Sequence, residues 1–116
     1  MTKMKYESPG VWSKEDAARV FSGHDNVKIP DALLGIVNSV GDYEWVVDQC
    51  LSFLDSKDEW VAKTAIICLG HIARIHRKID RKKVIPALEK AALRDELSEN
   101  VENALEDIEM FVAAEE

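Results

Sequence analysis

The chain has 116 residues, enough for one domain with a real core but few for a protein carrying an elaborate active site. With 47% hydrophobic and 32% charged residues it is composed like a folded protein, and its three prolines and five glycines favour helices over a strand-rich fold. A formal charge of −7 works against nonspecific attachment to nucleic acid or anionic membrane and favours a basic partner.

Residues 1–12 read as an N-terminal arm ending near Pro9-Gly10, and residues 13–116 as a single helical domain. The arm lacks the hydrophobic stretch of a secretory signal, and no apolar run approaches the roughly 18 residues that span a bilayer, so a cytoplasmic location is expected. Ser13, with Asp16 three residues on, starts a first helix that Gly23 stops. A second helix begins near Ile29 or Pro30 and ends at Gly41. The third spans about Asp42 to Leu54, with Val46, Val47, Cys50, Leu51, Phe53 and Leu54 as a broad apolar stripe.

Ser56 and Glu59 form a capping box for a fourth helix to about Lys78, whose core stripe is Val61, Ala65, Cys68, Leu69, Ile72 and Ile75. Asp80 caps a fifth helix over Arg81 to Leu93 that buries Val84, Ile85, Leu88 and Ala92, with Pro86 as its weak point. Ser98 opens the last helix, with Val101, Ala104, Leu105, Ile108, Phe111 and Val112 inward. Cys50 and Cys68, on apolar positions of adjacent helices, are expected as buried, reduced thiols.

The hydrophobic pattern repeats along the chain. A shift of 36 residues brings Leu69 onto Leu105, Ile72 onto Ile108 and Ala65 onto Val101, and sets Trp60 near Leu97. Leu51, Leu54, Asp55, Asp58, Val61, Ala65, Leu69, Gly70, Ile72 and Ala73 resemble the HEAT-repeat pattern, in which D-x-x-D-x-x-V separates two helices and the second contains A-x-x-x-L-G. The chain departs from it at Ala62, where an arginine is usual. The match is good over residues 49–73, approximate over 84–108 and poor for the N-terminal pair. The resemblance implies an all-α fold, a right-handed HEAT-like superhelix of about six helices in three antiparallel pairs, whose terminal pairs are atypical because they cap the stack.

A narrower resemblance covers most of the chain. IPDALLGIV, Asp42-Tyr43-Glu44-Trp45-Val46, CLGHIARIHRKID, VIPALEK and VENALEDIEMF are similar to a family of small bacterial HEAT-like proteins that resemble immunity proteins of polymorphic-toxin and contact-dependent growth-inhibition systems. It implies an immunity protein that binds a cognate toxin domain, with a basic nuclease expected, and blocks it by steric occlusion. The alternative is a general HEAT-repeat scaffold or adaptor for a non-toxin protein or peptide.

Catalytic signatures are missing from the sequence. His71 and His76, five residues apart on one helix, differ by about 140° in direction, whereas a helical zinc pair sits one turn apart. Glu106, Asp107 and Glu109 alternate with positions that must be buried, and no glycine-rich phosphate loop or GxSxG elbow occurs. No enzymatic activity, metal or cofactor is expected. Arg74, Arg77, Lys78, Arg81, Lys82 and Lys83 form a basic block, but without interleaved aromatics it does not read as a nucleic-acid patch.

The outward faces hold more promise. Opposite its core stripe the fourth helix carries Trp60, Lys63, Ile67, His71 and Arg74, and aromatics beside arginine are typical of protein-binding hot spots. Trp45 points away from the third helix's stripe and is expected to pack on the arm near Trp12. The last helix presents Glu99, Glu102, Asn103, Glu106 and Met110 on one side. In HEAT-like stacks the second helix of each pair lines the concave face, and the resemblance then aligns Asp31 and Asn38 with these two faces in one groove. The expected contact residues are Trp60, Lys63, Ile67, His71, Arg74, Glu99, Asn103 and Glu106.

Overall fold

A computed structural model describes residues 12–113; the expected arm, up to residue 11, lies outside the described residues. Every regular element among the described residues is helical: α1 Lys14–Ser22, α2 Lys28–Ser39, α3 Tyr43–Ser52, α4 Glu59–His76, α5 Arg81–Ala91 and α6 Ser98–Phe111, the last entered through a 3-10 turn at Asp95–Leu97. None of these helices is long and apolar enough to cross a membrane.

Short polar side chains set the helix starts. Ser13 Oγ accepts from the Asp16 N–H at 3.0 Å, Asp42 Oδ1 from Trp45 at 3.2 Å and Asp58 Oδ1 from Val61 at 3.0 Å, each satisfying an orphan donor of a first turn. For α4 this corrects the expected cap. Ser56 instead accepts from the Asp58 N–H at 3.1 Å and holds the true cap in place, since only Asp58 stands three residues before the N–H to be satisfied. The same helix ends at His76 rather than Lys78, because Arg77 turns into the left-handed region at φ 55°. α5 continues through Pro86 despite the hydrogen bond that its ring removes.

The helices form two rows. α2, α4 and α6 pack side by side with α4 in the middle, while α1 rests on α2, α3 on both α2 and α4, and α5 on α6. The first row is joined by apolar packing, and ten of the eighteen residues of α4 are buried, as its central place requires. In the second row polar links are prominent: Lys14 Nζ lies 2.8 Å from Asp42 Oδ2, and Lys83 pairs with Asp48.

The 36-residue register predicts which side chains are buried. Val61, Ala65, Cys68 and Ile72 of α4 correspond to Leu97, Val101, Ala104 and Ile108, and all eight are buried. Carried backwards from Ala65, Cys68, Leu69 and Ile72, the shift lands on the buried Ile29, Ala32, Leu33 and Ile36 of α2, a correspondence that the sequence reading missed. Leu105 is only partly buried. Ile75 was expected in the core and is 54% exposed; it borders a cleft with residues 37–41 at the end of α2, beyond the reach of the central packing. Ala62, Ile66 and Ala73 are buried instead, because α4 is covered from more than one side.

Small residues allow the closest approaches. A Cβ on Gly35 would lie 2.0 Å from Trp12 Cδ1, so the indole sits directly on the backbone of α2. Trp12 therefore belongs to the packed structure, and Trp45 lies half-buried under the Lys14 ammonium, 5.3 Å from its ring centroid. Cys50 and Cys68 are both free and buried where α3 meets α4; a hydrogen bond between them and then burial push the Cys50 thiol above its usual range.

Gly35→Ala should cost about 1–3 kcal/mol by overpacking, read from chemical denaturation, with red-shifted tryptophan emission as Trp12 is displaced. Unchanged stability would mean that the indole does not occupy this site. Thr64 is buried, and its hydroxyl has no hydrogen-bond partner among the described residues. Thr64→Val should therefore raise stability by about 1 kcal/mol in the same assay, whereas a loss of that size would reveal a bond to the hydroxyl.

Candidate functional site

The outward face of α4 is built by the spacing of its residues. Trp60 is 57% exposed, Lys63 is half-buried with its Nζ 2.7 Å from Glu59 Oε2, Ile67 and His71 are half-buried, and Arg74 is exposed. Alongside runs a groove of about 200 Å³ between α4 and α6, lined by Ile66, Ile67, Gly70, Arg74, Asn100, Asn103, Ala104 and Asp107. Of the eight expected contact residues, three line this groove: Ile67, Arg74 and Asn103. Trp60, Lys63 and His71 lie elsewhere along α4, while Glu99 and Glu106 are exposed on α6 outside the lining.

Ile66, Gly70, Asn100, Ala104 and Asp107 are the groove residues that were not among the expected contacts. The 36-residue shift contains the signal, since it sends His71 to Asp107 and Ile67 to Asn103. Gly70 provides the space: a Cβ there would meet Asp107 Oδ2 at 2.8 Å and Ala104 Cα at 3.5 Å. The Asp107 carboxylate thus lies over the bare backbone of α4, with Arg74 Nε 3.7 Å away.

His71 organises the cation of the groove. Its Nδ1 lies 2.7 Å from Arg74 Nη2, which requires a neutral ring accepting the guanidinium N–H. Burial first, and then the Arg74 charge, lower the His71 pKa below 6.5, while Asp107 opposes them. His76 points elsewhere and stacks on Tyr43 with centroids 5.2 Å apart, so the two histidines share no site. Among the described residues no three His, Cys, Asp or Glu side chains converge to hold a metal ion.

The groove belongs to a wider exposed face. Lys63, Ile67 and Arg74 correspond in register to Val27, Asp31 and Asn38 on the α2 side and to Glu99, Asn103 and Met110 on α6, and all nine are exposed or half-buried. Val27 is 82% and Met110 73% exposed, so the face carries apolar as well as charged groups. Acidity concentrates on α6, where Glu99, Glu102, Glu106, Asp107 and Glu109 occur without a single Lys or Arg.

The basic block is largely absorbed by the fold. The Arg81 guanidinium donates to the carbonyl of Val112 at 2.6 Å and reaches that of Ile108 at 3.5 Å, satisfying the C-terminal end of α6. Lys83 pairs with Asp48, Arg74 with His71, and Arg77 lies over the Phe111 ring at 5.5 Å. A second concavity, of about 340 Å³, opens between α3 and α5 and is mainly apolar, with Leu51, Leu54, Ala87 and the 83% exposed Leu93 among its lining. Compared with protein-family models, curated proteins and solved structures, the chain matches none.

His71 should titrate below 6.5 in a histidine-resolved NMR experiment. On acidification the unfolded chain takes up this proton first. The His71 contribution to stability is therefore complete above 6.5 and is lost as the pH falls from there toward the lower folded value. His71→Gln should flatten that part of the stability profile, and a His71 midpoint at or above 6.5 would contradict the account.

Proposed function

We propose that this protein is a HEAT-like stack of three helix pairs that binds and neutralises a cognate toxin domain of basic surface, a nuclease by the resemblance of its sequence, through steric occlusion. The observation that carries the reading is the face along α2, α4 and α6, with its α4–α6 groove and acidic last helix. The packing of α1 on α2, α3 on α4 and α5 on α6, with the even-numbered helices side by side in one register, supports the stack. An isolated helix pair keeps apolar surface for a neighbour, so such a stack leaves one broad face available for a macromolecule.

Charge supports the class of partner. A nuclease domain holds a polyanion with positive charge, and a protein of formal charge −7 attracts that surface at long range. Trp60 supplies an exposed aromatic at the start of α4 and Arg74 a guanidinium near its end, both residue types enriched in anchor regions. Occlusion needs only tight binding over the partner's working surface and no chemistry from this chain.

The test is co-expression with the toxin encoded beside its gene. Wild-type protein should restore growth, while Trp60→Ala combined with Glu106→Lys should weaken both protection and binding by at least tenfold, as loss of a hot spot plus a charge reversal implies. If the double variant protects and binds like wild type, the α4–α6 face is not the contact surface. If no adjacent toxin exists, or protection fails, the adaptor reading takes its place.

A further inference from the structure

The α4–α6 groove holds polar side chains that the other described residues leave open to a ligand. The Asp107 side chain is only 29% exposed, yet its carboxylate accepts no hydrogen bond from any described residue. Arg74 Nε, at 3.7 Å, is beyond hydrogen-bonding distance, and the Arg74 guanidinium is held by His71 at 2.7 Å. The side chains of Asn100 and Asn103 line the same groove and have no partner among the described residues. The Asp107 carboxylate is ion-paired with Arg74 and open to solvent, so an incoming N–H would add a charge-assisted hydrogen bond that Arg74 does not make.

We propose that this groove is a socket for an arginine side chain of a basic protein partner. The inference rests on the protein-binding face proposed above and names the group that face receives. A guanidinium offers five N–H donors in one plane and no acceptor, which suits a groove lined by one carboxylate and two carboxamides. Ile67 and Ala104 supply apolar wall for the side chain's methylene stem. Gly70 keeps the floor low enough for Asp107 to lie across it. The five acids of α6, without a base on that helix, give the socket a field that draws in a cation. Arg74 keeps its bond to His71 and does not have to leave.

The experiment is an NMR titration of the full chain with three blocked tripeptides, Ac-Gly-Arg-Gly-NH2, its lysine counterpart and its citrulline counterpart. The arginine peptide should shift the side-chain amides of Asn100 and Asn103 and the methyls of Ile67. The lysine peptide should bind several-fold more weakly, and the uncharged citrulline peptide roughly tenfold more weakly. Asp107→Asn should abolish the discrimination between arginine and citrulline, while Glu89→Gln, exposed on α5 and away from the groove, should leave it intact. Asn103→Leu provides a second variant at an exposed position, should weaken arginine binding, and does not depend on the folding of the Asp107 variant. Absence of groove shifts, shifts confined to Glu99 and Glu102, or equal responses to arginine and citrulline would overturn the socket. Loss of toxin protection with an intact peptide response would overturn the immunity reading and leave the socket standing.

Discussion

The packing of α4 between α2 and α6, with Gly70 on its α6 side, is the constraint on which the rest of the structure depends. With no side chain at that point, Ala104 and Asp107 of α6 come down onto the backbone of α4. α4 is buried on the α6 side as well as the α2 side, so a helix near the middle of the chain becomes the centre of the fold. It also determines what lies in the groove. A larger residue at 70 would displace the Asp107 carboxylate and close the space between Ile67 and Asn103. Stability and the candidate site thus share one residue, and its value lies in what it lacks.

The core was well marked in the sequence where hydrophobic period and repeat register agreed. Val61, Ala65, Cys68, Leu69 and Ile72 are all buried as their spacing demands, and Val101, Ala104 and Ile108 follow them one register later. Ile75 failed because periodicity knows nothing of where a neighbouring helix ends: α2 stops at Ser39, and the last turn of α4 borders an open cleft. The cap of α4 was misplaced for a local reason. Ser56 and Glu59 match a capping pattern, but Asp58 has the side chain that reaches the Val61 N–H. Trp12 was read as part of an arm because nothing in its own segment shows that Gly35 would receive its indole.

The candidate face was visible only in outline. Spacing along one helix could group Trp60, Lys63, Ile67, His71 and Arg74, since those side chains share a direction on α4. It could not say which residues of α6 face them, because that depends on the rotation of one helix against another. Glu99 and Glu106 accordingly lie outside the groove, and Asn100 and Asp107 lie inside it. The basic block misled in the opposite sense. A linear run of cations looked like one patch, yet Arg81 serves the end of α6, Lys83 bonds to α3, and Arg74 turns to His71. Charge in this protein is divided between ion pairs and caps made within the fold and an acidic last helix on which Glu99, Glu102 and Glu106 stay exposed.

The most direct measurement is the unfolding free energy of Gly70→Leu beside Asn103→Leu, the second placing the same side chain on an exposed position of the same groove. The account predicts a loss of about 3 kcal/mol or more for Gly70→Leu, because the added atoms must force α4 and α6 apart, and little change for Asn103→Leu. Equal stability of the two variants would contradict the close approach at Gly70, and with it the place assigned to Asp107.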